Sequence, residues 1–164
     1  MGRGRQDGLR DEDMASMIDI GRKKAVNRKA VAEGHIRLRP STLEAISHNT
    51  IKKGDVLTSS KLAGIQAAKA TAQVLPLCHQ VPLTSVEVDI SILEDELVAR
   101  CEVSANYKTG VEMEALVGVA TALLNVWDMV KYLEKDKRGQ YPDTSISDLR
   151  VLSKTKGGPR HGGR

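Results

Sequence analysis

The sequence predicts one α+β domain built on an antiparallel four-stranded sheet with helices on one face. Segments in which every second residue is apolar alternate along the chain with segments of helical spacing. Their order is strand, helices, strand, strand, helix, strand, with one helix more than a plain βαββαβ unit. This is the split βαβ arrangement of ferredoxin-like domains. The length of 164 residues suits one domain with its own core.

The first strand and the first helix are predicted at residues 30–38 and from Pro40 onward. Apolar residues alternate in the strand, and Gly34 indicates a bulge within it. Proline favours the first turn of a helix, and Ser41 and Glu44 have the spacing of a capping box. A short capped helix is therefore expected after the strand.

The second helix and the segment after it differ in composition. The helix covers residues 56–73, is rich in Ala, and follows Asp55, which is its predicted N-cap. Residues 75–83 are largely apolar but include Pro76 and Pro82, which exclude a regular helix. A rigid apolar loop is expected here.

The second half of the chain predicts a hairpin, a long helix and a final strand. Residues 85–92 and 97–104 alternate apolar and polar side chains, which is typical of antiparallel strands with one buried face. The helix covers residues 112–133, with acidic residues in the first turn that suit the helix dipole. The last strand covers residues 146–152. The other sheet face lacks a cover in this arrangement, so an oligomer is expected, with a partner subunit as the simplest cover.

Composition limits the class of protein. The core must be aliphatic because the chain has no Phe, one Trp and three Tyr, and the net charge of +4 is moderate. No uninterrupted apolar run approaches the roughly 18 residues of a membrane span, and no signal-type segment begins the chain. Two cysteines without paired spacing favour a cytoplasmic location. Residues 1–16 and 155–164 have the composition of mobile tails, the second basic and Gly-rich, around a single domain at 17–154.

Cys78 and His79 occupy the rigid apolar loop. A His held at the tip of such a loop can bind an anion or donate a proton. The alternative is a buried Cys beside an ordinary surface His. The chain has no CxxC and no HxxxH, so no zinc site is predicted.

The long helix carries two further candidates, one at each end. Glu112 and Glu114 either suit the helix dipole or accept hydrogen bonds from a nitrogen-rich ring such as guanine or pterin. Asp128 and Lys131, three residues apart, form either a surface ion pair or an acid–base pair. Glu114 and Asp128 are fourteen residues apart, which is about 21 Å along an unbroken helix. One of them is structural, or the substrate is long, or the site joins helix ends from different subunits.

Several of these residues belong to stretches that resemble the cyclic pyranopterin monophosphate synthase family. The resemblance covers residues 17–154. Its most specific parts are Pro76-Leu77-Cys78-His79, within the matching stretch Leu75–His79, and Gly110-Val111-Glu112-Met113-Glu114-Ala115, within the matching stretch Thr109–Leu116. The other matching stretches are Met17-Ile18-Asp19-Ile20, Val31-Ala32-Glu33-Gly34, Lys53-Gly54-Asp55-Val56, Ala63–Lys69 and Asp128-Met129-Val130-Lys131.

The resemblance implies a fold, an assembly and a reaction. The fold is ferredoxin-like, and the assembly is a homohexamer formed as a trimer of dimers with sites at the dimer interface. The reaction converts (8S)-3′,8-cyclo-7,8-dihydroguanosine 5′-triphosphate to cyclic pyranopterin monophosphate and pyrophosphate, a lyase step of molybdenum cofactor biosynthesis. No cofactor and no protein-bound metal are implied, although Mg²⁺ bound to the triphosphate is compatible with the reaction.

The resemblance also implies roles for individual residues. It assigns catalysis to Asp128, Lys131 and Lys53. It assigns substrate binding to Leu77, Cys78, His79, Glu112, Met113, Glu114, Lys69, Lys23, Arg28 and Lys154. The sequence departs from the family pattern in a longer loop after Lys135 and near the C-terminus, where Lys156 or Arg160 would replace a family lysine.

Two alternative functions are compatible with parts of the sequence. An RNA-binding module would explain the pI near 9.1 and the strand order. However, such modules stack bases on aromatic residues of their strands, and residues 85–92 and 97–104 contain none. An inactive regulatory homologue would keep the fold and lose activity, yet this chain retains Lys53, His79 and Asp128.

Overall fold

The computed structural model describes residues 15–157, which form four strands and four helices in one α+β fold. In chain order these are β1 (Val26–Arg37), α1 (Pro40–Ser47), α2 (Val56–Lys69), α3 (Thr71–Val74), β2 (Leu83–Ile92), β3 (Glu96–Tyr107), α4 (Glu112–Glu134) and β4 (Ser145–Lys156). The strands form one antiparallel sheet in the order β2-β3-β1-β4. β3 therefore separates the parallel strands β1 and β2, as the predicted split βαβ arrangement requires.

The core lies between α4 and one face of the sheet, and it is aliphatic. Alternate residues of β1 and β3 point to this face, as the period of two in a strand requires, so Ala32, Ile36 and Cys101 are fully buried. α4 contributes a buried stripe that includes Val119 and Val126. Its apolar character also gives a segment of mean hydropathy 1.4 that is long enough to cross a membrane, but half of that segment is buried inside the fold.

α2 packs unusually close to α4 because glycine faces glycine at the crossing. A Cβ atom on Gly64 would lie 2.9 Å from the carbonyl oxygen of Gly118. A Cβ atom on Gly118 would lie 2.8 Å from Sγ of Cys101. The small residues of α2 therefore set the distance between the two helices.

We expect Gly64→Ala to destabilise the fold. The added methyl group would meet backbone, which cannot rotate away, and overpacking costs about 1–3 kcal/mol. The gain of about 1 kcal/mol in helix propensity offsets part of that cost. Urea denaturation should show a lower midpoint than in wild type, with Gln66→Ala, on the exposed side of α2, as the control. A midpoint at or above that of wild type would show that the helices separate without cost.

Some local predictions are confirmed. Asp55 caps α2, accepting a hydrogen bond from the backbone N–H of Thr58 at 3.0 Å. The β1–β4 pairing shifts register between Glu33 and His35, which places the predicted bulge at Gly34. A Cβ atom at Gly34 would lie 2.9 Å from Val119, so the bulge coincides with a close approach of α4.

Other local predictions are wrong. No capping box forms at Ser41, because Arg39 is the N-cap of α1 and makes no side-chain cap. The carboxylate of Glu134 takes that role, accepting from the backbone N–H of Arg39 at 3.3 Å and from Oγ1 of Thr42 at 2.5 Å. The helix predicted at residues 56–73 is divided, since α2 ends at Lys69 and α3 follows after Ala70.

The first and the last strand of the chain are longer than predicted. β1 begins at Val26 because its first residues pair with β3, and from Arg28 onward they pair with β4 as well. β4 continues to Lys156, two residues into the predicted C-terminal tail. Residues 1–14 and 158–164 of the predicted tails, including Arg160, lie outside the described residues.

The sheet face opposite α4 carries a charged network. The other three helices all contact α4, so no helix of residues 15–157 covers this face. Glu33 is buried there, accepting from Nε of Arg100 at 2.6 Å and from Arg150 at 3.1 Å. Arg100 chiefly holds the pKa of Glu33 below its usual value, against the effect of burial. Three strands are thus joined by side chains on their uncovered face.

Candidate active site

Asp128 is the centre of an ion cluster near the C-terminal end of α4. Its two carboxylate oxygens contact different ammonium groups, with Lys131 at 2.7 Å and Lys53 at 2.8 Å. Lys131 lies one turn further along the same helix. Lys53 comes from the loop between α1 and α2 and also donates to the backbone carbonyl of Asp128 at 2.9 Å. The helix and the loop thus place two cations on one carboxylate.

The cluster is exposed and strongly polarised. About half of each of the three side chains is open to solvent, 54% for Asp128. Hydrogen bonds from Lys131 and then Lys53 lower the pKa of Asp128 to about 2, and Asp128 in turn raises the pKa of Lys131. At neutral pH the carboxylate of Asp128 is therefore ionised and Lys131 is charged. A substrate that displaced one lysine would leave a carboxylate beside an ammonium, an arrangement suited to proton transfer.

A cavity of about 350 Å³ lies at the other end of α4. The first turn of α4, the rigid loop after α3 and the segment before β1 meet there. The cavity is lined by Ile18, Ile20, Lys23, Leu77, Cys78, His79, Val81, Thr109, Gly110, Glu112, Met113 and Glu114. The rigid loop is fixed at this point because Nε2 of His79 donates to the carbonyl oxygen of Ile18 at 2.7 Å.

Glu114 is a buried carboxylate on the cavity wall, with 4% of its surface exposed. Burial raises its pKa, and the nearby charge of Glu112 raises it further, while its own backbone N–H acts in the opposite direction. The thiol of Cys78 also has a raised pKa, through burial and then the charge of Glu114. Cys78 therefore remains a thiol at neutral pH. Because only the thiolate is a good nucleophile, Cys78 is suited to lining the cavity and not to attacking a substrate.

Glu114→Gln should stabilise the protein at neutral pH. The pKa of Glu114 is raised in the folded state, so ionising this carboxyl lowers the stability of the fold at pH values above that pKa. The loss disappears once pH falls below the pKa of Glu114 in the unfolded chain, because the carboxyl is then protonated in both states. A neutral amide is less costly to bury than a charge. Thermal melts should show a midpoint higher by a few degrees at pH 7.5 and little difference at pH 4. An unchanged or lower midpoint at pH 7.5 would mean that the carboxylate is compensated within the fold.

A basic pocket adjoins the cavity on the far side of Glu112. It has a volume of about 200 Å³ and is lined in part by Arg28, Lys154 and Lys156. Burial raises the pKa of Glu112, but the hydrogen bond from Lys154 at 2.8 Å and the charges of Lys154 and Arg28 outweigh it, so the net pKa is lowered. Several cations in one small pocket are suited to binding phosphate groups.

Comparison with known proteins identifies the family. The model of the MoaC family matches residues 17–157. The chain is 53% identical over 147 residues to a probable cyclic pyranopterin monophosphate synthase of Thermococcus kodakarensis, covering 90% of this chain and 94% of that protein. A protein of the same name from Pyrococcus abyssi is 54% identical over 146 residues, covering 89% and 92%. The corresponding protein of Archaeoglobus fulgidus is 49% identical over 148 residues, covering 90% and 95%.

The chain belongs to the MoaC family. The curated relatives named above carry the name of an enzyme, and no finding supports the RNA-binding or regulatory alternatives. The loop after Lys135 is held together by Asp136, whose carboxylate accepts from the backbone N–H groups of Arg138 and Gln140, each at 2.8 Å.

Within one chain of this MoaC protein the predicted site residues lie in two regions, which are the ion cluster and the cavity with its neighbouring pockets. Asp128, Lys131 and Lys53 form the ion cluster. Seven others line the cavity, and Arg28 and Lys154 line the basic pocket next to it. Lys69 lies in a neighbouring groove with Val81, which the groove shares with the cavity. Because α4 is continuous from Glu112 to Glu134, Glu114 and Asp128 stay about 21 Å apart along the helix axis.

Sequence reasoning missed some residues of the site. Ile20 and Thr109 line the cavity, and both lie in stretches that resemble the family, which was an available signal. No motif in the sequence indicated Tyr132 or Tyr141, which lie beside the ion cluster. Tyr132 contacts Lys52, which is 80 positions away in the chain, and Tyr141 packs edge-on against Trp127 with ring centroids 5.7 Å apart.

Proposed function

We propose that this chain is a cyclic pyranopterin monophosphate synthase. It would convert (8S)-3′,8-cyclo-7,8-dihydroguanosine 5′-triphosphate to cyclic pyranopterin monophosphate and pyrophosphate in molybdenum cofactor biosynthesis, in the cytoplasm. The observation that carries the proposal is the Asp128 carboxylate between two ammonium groups in a chain of the MoaC family.

The reaction needs proton transfers while the ring system opens and closes again. Asp128 is ionised at neutral pH and accepts a proton once the substrate displaces a lysine, and the neighbouring ammonium groups of Lys53 and Lys131 return protons. Both lysines also stabilise negative charge that develops on the substrate.

Formation of the cyclic phosphate needs a sugar hydroxyl to attack the α-phosphate. A new P–O bond forms, the P–O bond between the α-phosphorus and the pyrophosphate oxygen breaks, and the hydroxyl proton is released to solvent or to the leaving group. Pyrophosphate leaves with high negative charge. Arg28, Lys154 and Lys156 in the basic pocket are the group suited to hold that charge. No three His, Cys, Asp or Glu side chains converge as metal ligands among residues 15–157. Any Mg²⁺ is proposed to enter with the triphosphate.

Glu114 is the proposed recognition group for the nitrogen-rich ring. A guanine or pterin presents adjacent N–H donors, and a carboxylate accepts both of them. Among the described residues only the backbone N–H of Glu114 itself acts on its carboxylate as a donor. Ring binding would supply the missing donors and so offset the cost of burying this carboxylate.

The active unit is proposed to be a dimer within a homohexamer, with each site shared by two chains. The support is geometric: a substrate cannot contact both Glu114 and Asp128 of one chain at a single reacting centre, since they are about 21 Å apart. The sheet face opposite α4 also lacks a cover among the described residues, and a second subunit is the simplest one.

A direct assay tests the proposed function. The purified protein is incubated with the cyclic dihydroguanosine triphosphate, and pyrophosphate release is followed together with pterin fluorescence after oxidation. We expect equal molar amounts of pyrophosphate and pterin. Well-folded protein that releases no pyrophosphate would contradict the proposal and favour the inactive homologue.

A further inference from the structure

The loop that carries Lys53 has few attachments to α4. It joins α1 to α2 and is anchored at one end by Ile51, which is buried, and at the other by the N-cap Asp55. Between these anchors it turns at Gly54, whose φ of 103° favours glycine. Lys53 reaches Asp128 from this turn through a long, flexible side chain.

Tyr132 contacts this loop immediately before Lys53. Its hydroxyl accepts a hydrogen bond from the backbone N–H of Lys52 at 3.1 Å. The ammonium of Lys52 lies 5.6 Å from the centroid of the Tyr132 ring, within the range of a cation–π contact. Tyr132 follows Asp128 by four residues on α4, so both side chains lie on the same side of the helix.

We propose that Tyr132 is a positioning residue that fixes the Lys53 loop against α4. One contact holds the backbone N–H of Lys52 and the other holds its ammonium group, which restricts the positions that the next side chain can reach. The Lys53 ammonium then meets both the carbonyl oxygen and the carboxylate of Asp128, at 2.9 and 2.8 Å. The expected effect of Tyr132 on catalysis rests on the proposed function, whereas its expected effect on the position of the Lys53 side chain does not.

The test measures the chemical reactivity of Lys53 without substrate. Purified wild type, Tyr132→Phe and Tyr132→Leu are labelled briefly with acetic anhydride, and the rate at each lysine is read by mass spectrometry. Lys61 is the internal reference, because it forms an ion pair of similar length, 2.9 Å, with Asp89. Tyr107→Phe makes the same chemical change at a tyrosine that packs against the core away from the cluster.

We expect Lys53 to react faster in both Tyr132 variants, by about threefold to tenfold in Tyr132→Leu, which loses the hydrogen bond and the ring together. Lys61 should be unchanged, and Tyr107→Phe should match wild type. A Lys53 rate equal to that of wild type in both variants would overturn the proposal.

Steady-state kinetics separate this inference from the proposed function. A less constrained Lys53 should lower kcat more than it changes KM, because the group acts at the reacting centre. If Lys53 reactivity rises while the wild-type protein releases no pyrophosphate, the positioning role stands and the proposed reaction is wrong. If Lys53 reactivity is unchanged in an active enzyme, the reaction stands and the positioning role is wrong.

Discussion

Asp128→Asn is expected to lower kcat by about a hundredfold to ten-thousandfold, the range typical of losing a general acid–base group. The amide keeps the size of the carboxylate but can neither accept a proton at neutral pH nor balance the charges of Lys53 and Lys131. The measurement is the initial rate of pyrophosphate release at saturating substrate.

The fold should tolerate this substitution. Asp128 is exposed, and ion pairs at such positions contribute little to stability. Its pKa is lowered to about 2, so the stabilisation from the two lysines is present above the unfolded value near 3.8 and is lost only as pH falls through about 2. The variant should therefore melt close to wild type at pH 7 and be inactive across the neutral range.

Asp89→Asn is the matched control. It removes a carboxylate that forms an ion pair of similar length with Lys61 on another part of the surface, so its kcat should equal that of wild type. An Asp128→Asn protein with wild-type kcat would show that the ion cluster is only a surface feature of α4.

The regular elements could be predicted because their signals are local. The alternation of side chains in β2 and β3 places Val88 and Cys101 in the core, and both are buried as expected. Asp55 was predictable for the same reason, since a cap and the N–H that it accepts from are three residues apart. The family motifs likewise indicated most of the cavity residues.

The contacts that depend on tertiary structure could not be predicted. The N-terminus of α1 is capped by Glu134, 95 positions away from Arg39, so the local Ser41–Glu44 spacing was misleading. The contact between Tyr132 and Lys52 likewise appears only when α4 packs beside the loop. Helical spacing did correctly give the separation of Glu114 and Asp128, because α4 is continuous.

That separation leads to the second large effect, recovery of activity in mixed oligomers. Asp128→Asn disables the ion cluster, and Glu114→Gln removes the carboxylate proposed to recognise the ring. Each variant alone should be nearly inactive. If each site combines the cluster of one chain with the cavity of its partner, a mixed dimer regains one intact site.

The control mixture combines Asp128→Asn with Lys131→Ala. Both changes lie in the same cluster, so every site in a mixed dimer still contains a defective cluster. This mixture should remain inactive, which excludes recovery caused by the mixing procedure itself.

The most direct test is therefore the activity of Asp128→Asn and Glu114→Gln proteins that are dissociated, mixed in equal amounts and reassembled. Random pairing of chains predicts roughly a quarter of wild-type activity, because half of the dimers are mixed and each of those has one of two sites intact. Activity no greater than that of the separate variants, in a mixture shown to contain mixed oligomers, would mean that each chain holds its whole site.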